Sequence, residues 1–309
     1  MVYTRLAEIE ALLAAVDLDV NALFVIVSEA LDEDLGGRGV LPPGVGKGLD
    51  ITSYATIAAD ETAQGRFIAR QPGTVAGLPV AAFAVATACS TAGDFELVLH
   101  ASDGDRVRRG DALITTSGNA RALLRVERVA LNLITMMSGV ATATRAWVDA
   151  LEQTNTRVRD SRKTIPGLRM LQKYAVRIGG GINHRMSLAD AALIKDNHVI
   201  AAGGVVPAYH AVRQSFPDVP IEVEVTSPEQ AREVVAAGAT EILLDNMTVP
   251  EMAAIVAQLG DQATFEASGG LTIQNAQEVA HTGVNFVAVG AITHSAPALD
   301  IALDFASEK

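Results

Sequence analysis

Four cations and a histidine fall in one stretch of this chain: Arg162, Lys163, His184 and Arg185 within VRDSRKTIPGLRMLQKYAVRIGGGINHRM (158–186), and Lys195 in LIKDN (193–197). From Arg157 to Lys195 nine Lys or Arg stand against only Asp160 and Asp190, in a chain whose formal net charge is −12. A basic block inside an acidic chain suits a small polyanion. Arginine grips carboxylate or phosphate through a planar fork of donors, and lysine supplies a mobile point charge. Arg162 and Lys163 directly follow the strand-like TRVRDS, and Lys195 closes the strand-like ALIKDN, so these cations belong at strand ends. Arg169, Lys173 and Arg177 recur at i, i+4, i+8 and read instead as a solvated helix face. Glycines 179 to 181 cap that helix and are candidates for close backbone approach to a ligand.

Charge of the opposite sign follows. In IEVEV (221–225) Glu222 and Glu224 are two apart, so a strand turns both carboxylates to one face. Inside a barrel that face needs cations, a metal or sugar hydroxyls, because a buried unpaired carboxylate is very costly. Asp245 ends EILLD in the same way. Glu224 and Asp245 are therefore the candidate residues for Mg²⁺, directly or through substrate and water, since magnesium takes hard oxygen ligands and keeps waters and phosphates in its shell. Ser268, Gly269 and Gly270 end one later strand, and Val289, Gly290 and Ala291 end the next. Each trio precedes a helical pattern, an arrangement whose backbone N–H groups suit a phosphate monoester. His294 lies about one turn further on and either reaches the same group or serves as a cap or core histidine.

The elements that must carry these residues change character along the chain. The first part mixes helical patterns at about 4–16 and 21–33 with the strand-like RFIAR, FELVLH and DALITTS, an α+β layer. Residues 103–113 have the turn and alternation of a small carrier-type β-module but no lysine at a hairpin tip. Gly36 to Lys47, rich in glycine and proline, reads as a mobile loop. From Ala120 to about Glu152 a long helical pattern is interrupted near Ser138 and Gly139, which predicts two helices or one bent one. Beyond it TRVRDS, ALIKDN, IEVEVTS, EILLDN, TFEASGG and NFVAVGA alternate with helical stretches, which predicts parallel strands with right-handed crossovers. Polar residues gather at the strand ends, as in a βα barrel whose active groups share one mouth. Six strands are two short of the common barrel, and an open doubly wound sheet is the alternative.

Composition narrows the function. At 309 residues one large domain or two moderate ones are expected. An acidic balance and a single Trp argue against a nucleic-acid binder. The uncharged run from Gln71 to Gly93 is long enough to span a bilayer, but Pro72, Gly73, Gly77 and Pro79 break it, which predicts a turn and a buried helix and no membrane partner. Cys89 is the only cysteine and sits in an apolar run; with an N-terminus lacking the features of an export signal, it fits a reducing cytoplasm. No zinc spacing and no GxSxG elbow occur.

The segments DSRKTIPGLRMLQKYAVRIGGGINHRM and LIKDNH, with EDLGG, DITS, ERVALN, MSGVAT, EILLDNM, SGGL and VGAITHSAPALDIALDF, resemble the quinolinate phosphoribosyltransferase family over nearly the whole chain. The resemblance implies an N-terminal α/β sandwich, 1–119 joined by the C-terminal segment 296–309, and an incomplete six-stranded α/β barrel, 120–295. It implies that quinolinate and phosphoribosyl diphosphate give nicotinate mononucleotide, diphosphate and CO₂, with Mg²⁺, in NAD biosynthesis. Carried over, Ser161, Arg162, Lys163, His184 and Arg185 bind quinolinate, with Arg128 of ERVALN reaching over from the neighbouring chain of a homodimer or larger assembly. Lys195, Glu224 and Asp245 serve diphosphate, metal and ribose, while Ser268, Gly269, Gly270, Val289, Gly290, Ala291 and His294 hold the 5′-phosphate. The catalytic members of this set are Lys163, Lys195, Glu224 and Asp245. The nearest rivals are an enzyme of the same fold acting on nicotinate or another ring and, from a different class, a non-catalytic carrier built on the β-module.

Overall fold

A computed structural model of the chain describes residues 1–40 and 48–306. The segment read as a mobile loop, Gly36 to Lys47, falls largely outside the described residues. The chain forms two compact units, one of residues 1–142, 166–179 and 296–309, the other of residues 143–165 and 180–295. By contacts the first unit extends to 142 and includes the helix Arg169–Ile178.

In the first unit the α+β layer is a five-stranded sheet in the order Val2–Tyr3, Glu96–Leu99, Ala112–Asn119, Thr62–Ala69, Ile301–Phe305, every pairing antiparallel. The last strand comes from the C-terminal segment, so both chain ends are tied into one sheet. The uncharged run becomes a turn and then the helix Leu78–Cys89, which is buried on all sides except at Thr87. Gly77, at φ 91°, and Pro79 set its start. Among the described residues no helix is long and apolar enough to cross a membrane. Cys89 is one of its buried residues, and burial pushes its thiol up to about 11, as for a small core hydrophobe.

The long helical pattern is one helix, Ala120–Ala150, without the expected break. Ser138 and Gly139 are small because other backbone comes close there. Ser138 Oγ accepts from Ala76 N at 3.0 Å and donates to Ala76 O at 3.1 Å, and a Cβ on Gly139 would meet Pro297 O at 2.2 Å. A second expectation also changes: on Arg169–Ile178, Lys173 is fully buried, not solvated, within the run Leu171 to Val176, and only Arg177 is exposed. Spacing places cations on one helix face but does not show whether that face meets water.

The second unit holds six parallel strands in the order Arg157–Arg159, Phe286–Ala288, Thr264–Ser268, Glu241–Asp245, Ile221–Val225, Ala192–Ile194. Each of the six strands read from the sequence is present. The first and last strands do not pair with each other among the described residues, so the barrel is incomplete; Ile182 bridges to Arg159 on the open side. Helix starts are specified locally: Ser227 caps Pro228–Ala236, and Thr248 with Glu251 forms a capping box on Val249–Leu259.

The close approach at Gly139 is testable. Gly139→Ala should destabilise the protein by the ~1–3 kcal/mol typical of overpacking, read as a lowered urea midpoint. An unchanged midpoint would show that the 297–298 backbone yields freely.

Candidate functional site

A cavity of about 690 Å³ lies within the second unit, lined by residues at or just beyond the carboxyl ends of the six strands, within the usual size of small-molecule sites. Arg162, Lys163, Arg185 and Lys195 line it, with Ser161 and His184 among them. Glu224 and Asp245 supply acidic groups, and Ser268, Gly269, Gly270, Val289, Gly290, Ala291 and His294 complete the expected set. Arg128 is the exception: it is exposed on Ala120–Ala150 and does not line this cavity.

Two of the cations crowd together at one wall of the cavity. Among the described residues the buried Nε of Arg162 has no hydrogen-bond partner. Burial first, then the nearby Arg162 guanidinium, draws the Arg185 pKa down, against the pull of Asp190 and Glu222, so two like charges converge at this wall. Arg185 is aimed by its own contact, Nη1 donating to Ala191 O at 2.8 Å. Lys195 Nζ lies 2.8 Å from Glu224 Oε2, a pair half open to solvent on the lysine side.

Below these groups the barrel interior is charged. Arg159 Nη1 donates to Glu266 Oε2 at 2.9 Å and stands 3.7 Å from Glu222 Oε1, while the guanidinium lies 4.1 Å over the Phe286 ring. His184 Nε2 is 2.5 Å from Glu222 Oε2. Burial, then the neighbouring Glu222 carboxylate, lifts the Glu266 carboxyl to about 7, against the pull of Arg159 and His184. His184, Glu222 and Glu266 are spaced as metal ligands, but the guanidinium already holds the cation's place between the carboxylates.

Backbone is held around this core. Asp160, fully buried, accepts from His184 N at 2.8 Å and from Asn183 Nδ2 at 2.7 Å. Thr293 Oγ1 donates to Lys163 O at 2.8 Å, fixing the segment that carries Arg162 and Lys163. A Cβ on Gly290 would meet Lys163 Cδ at 3.0 Å and His294 Nε2 at 3.3 Å. Asn246, at φ 54°, donates from Nδ2 to Asp245 Oδ2 at 2.8 Å. Its side chain sits where a Cβ on Gly269 would fall, 2.1 Å from Asn246 Oδ1. Gly269 and Gly290 thus make room for neighbouring side chains.

Sequence reasoning missed Arg159, Asp160, Asn246 and Glu266. The available signal was charge inside apolar strands, RVR and TFEAS, rather than at their ends. Leu193, Leu243 and Ala288, the apolar part of the lining, gave no signal beyond strand alternation.

Comparison with known proteins places this site in context. The N-terminal domain profile of quinolinate phosphoribosyl transferase matches residues 50–138, and the C-terminal domain profile matches residues 140–304. A nicotinate-nucleotide pyrophosphorylase [carboxylating] of Mycobacterium leprae is 45% identical over 93% of this chain and 99% of its own length. A mitochondrial quinolinate phosphoribosyltransferase [decarboxylating] of Nicotiana glauca is 36% identical over 92% of this chain and 82% of its own. The crystal structure of NadC from Streptococcus pyogenes superposes with a TM-score of 0.85 at 33% identity, over 94% of this chain and 99% of that one. Sequence and fold agree over nearly the full length, and the chain belongs to the quinolinate phosphoribosyl transferase family.

Proposed function

We propose that the cavity holds quinolinate beside phosphoribosyl diphosphate and joins the pyridine nitrogen to the ribose, giving nicotinate mononucleotide, diphosphate and CO₂ for NAD biosynthesis. The observation that carries this reading is the convergence of Arg162, with an unpartnered buried Nε, and Arg185 in one cavity. Two guanidiniums beyond the needs of a phosphate suit an aromatic dicarboxylate. Ser161 and Lys163 line the same wall, and in this reading Lys163 also faces the diphosphate.

The chemistry follows from where the charges lie. As diphosphate leaves, the anomeric carbon becomes cation-like, and a carboxylate beside it stabilises the developing charge. Glu224 serves that carbon and a ribose hydroxyl, held in place by Lys195, whose ammonium also faces the leaving group. Ser268, Gly269 and Gly270 with Val289, Gly290, Ala291 and His294 take the 5′-phosphate. Alkylation of the ring nitrogen makes the pyridine an electron sink. The carboxylate next to it then departs as CO₂, and a proton takes its place on the ring carbon. Shielding that carboxylate from water favours the loss of its charge.

Mg²⁺ is part of the proposal. Asp245 and Glu224 offer hard oxygen donors on adjacent strands, and one or two carboxylates plus substrate phosphates is how this ion is commonly held. When bound, it neutralises charge on the departing diphosphate. A homodimer or larger assembly belongs to the same reading: Arg128 is exposed and outside its own chain's cavity, as expected of a residue that completes the site of a second copy. A cytoplasmic location is supported by the single, buried Cys89.

The direct test is turnover with phosphoribosyl diphosphate, Mg²⁺ and either quinolinate or nicotinate, following mononucleotide and CO₂. Quinolinate should react with stoichiometric CO₂; turnover of nicotinate alone would reject the substrate assignment. Arg162→Ala should weaken quinolinate binding by the ~1.5–3 kcal/mol of a charged hydrogen bond, roughly 10–150-fold, with KM for phosphoribosyl diphosphate much less affected. For the assembly, mixing the impaired Arg128→Ala and Arg162→Ala chains should raise turnover at low quinolinate above that of either variant alone, because a hybrid dimer carries one intact site. No recovery, with hybrids demonstrably formed, would place Arg128 outside the site.

A further inference from the structure

The geometry points to Asn246 as a positioning residue that acts through Asp245, fixing how that carboxylate is presented without neutralising it. Asn246 directly follows the strand Glu241–Asp245 and stands at φ 54°, in the left-handed region that asparagine enters more readily than most residues. Its backbone N–H still donates to Ser268 O at 2.9 Å, so the pairing with Thr264–Ser268 holds up to the turn. The turn brings the side chain back beside its neighbour, and Nδ2 donates to Asp245 Oδ2 at 2.8 Å. A carboxylate only accepts, so the amide presents its nitrogen there and its Oδ1 elsewhere. Beside that oxygen stands Gly269, where a Cβ would fall 2.1 Å from Oδ1 and 2.5 Å from Cγ. A glycine at 269 is what leaves the amide its room.

Asp245 depends on this contact. Among the described residues it is the one hydrogen bond that the Asp245 carboxylate makes, and no cation pairs with it. Glu224, on the adjacent strand, is held differently, by the Lys195 ammonium at 2.8 Å. An ammonium fixes a carboxylate and offsets its charge. A neutral amide fixes it and leaves the full charge for a metal or a sugar hydroxyl. An aspartate at 246 would set a second carboxylate against the first, and an apolar side chain would leave Asp245 without its donor. Asn246 also lies between two parts of the cavity lining, Asp245 on one side and the Ser268 to Gly270 turn on the other. In the proposed reaction these meet the ribose and the 5′-phosphate of one substrate, so a single side chain sets the spacing of two of its subsites.

This inference rests on the reading in which Asp245 meets the ribose and Mg²⁺ of phosphoribosyl diphosphate. The test variant is Asn246→Gly, which keeps the left-handed turn and removes the amide. KM for phosphoribosyl diphosphate should rise about tenfold, the low end for a hydrogen bond to a charged group, while KM for quinolinate changes less than about twofold. A wild-type KM for phosphoribosyl diphosphate would mean that only the turn matters and would overturn the assignment. Equal rises in both KM values would overturn it as well, since they mark a general disturbance of the cavity. Should Asn246→Gly not fold, Asn246→Asp keeps the shape and replaces the donor with an acceptor, and the same split is expected of it. A double-mutant cycle then separates action through Asp245 from direct contact with substrate, with affinity read from the rise in melting midpoint on adding phosphoribosyl diphosphate and Mg²⁺. Removing the amide should weaken binding about tenfold in the wild-type background and less than about threefold in Asp245→Ala, a non-additivity of the size seen for residues in contact. Equal factors in the two backgrounds would mean that Asn246 contacts the substrate independently. A wild type that turns over neither substrate would reject the quinolinate reading itself, and with it the ligand given to Asp245.

Discussion

One guanidinium shared by two carboxylates in the interior of the barrel is the interaction on which the site depends. Arg159 reaches Glu266 at 2.9 Å and Glu222 at 3.7 Å, where an uncompensated charge would cost several kcal/mol. Such a cluster adds little to stability compared with well-packed apolar side chains. Its value lies in direction. Glu222 engages His184, His184 engages the backbone of Arg185, and Asp160 fixes the turn between them. The backbone that carries Arg185 is therefore tied through His184 and Glu222 to a charged cluster in the barrel interior.

The fold provides this base by leaving the barrel incomplete and polar within. In a closed eight-stranded barrel the interior is filled by layers of branched aliphatic side chains. Here the strands pair in a six-membered series with Ile182 bridging at one edge, and Glu222, Glu224, Glu266 and Arg159 take inward positions beside Leu193 and Leu243. In the proposed reaction, a carboxylate layer beneath the cavity and a cationic wall around it would serve separate needs: grip on permanent negative charge, and stabilisation of positive charge that appears only during transfer.

Much of this was legible in the sequence, for a physical reason. Strands that run apolar until their last residues announce a parallel sheet with its functional groups at one rim, and all six such strands occur where TRVRDS through NFVAVGA predict them. The place of Ser268 to Gly270 and Val289 to Ala291 in the cavity lining was readable for the same reason. Three features were not. Period-2 alternation says that Glu266 and Arg159 point inward but not that they meet, since their pairing crosses 107 positions of sequence. Ser138 and Gly139 read as a break because small residues weaken a helix, whereas the structure uses their size to admit another stretch of backbone. Lys173 read as solvated because helical spacing shows only that cations share a face, not what covers it.

The most direct measurement of the central claim is the pH dependence of stability in wild type and Glu266→Gln. The buried carboxyl is lifted from an ordinary 4.5 to about 7, so the unfolded chain releases its proton at lower pH than the native protein does. Stability from this group is full below about 4.5, is lost as pH rises to about 7, and is constant beyond. Denaturation midpoints followed from pH 4 to 9 should show the wild type losing stability relative to Glu266→Gln across that window. Parallel curves for the two proteins would contradict a Glu266 carboxyl raised by burial beside Glu222.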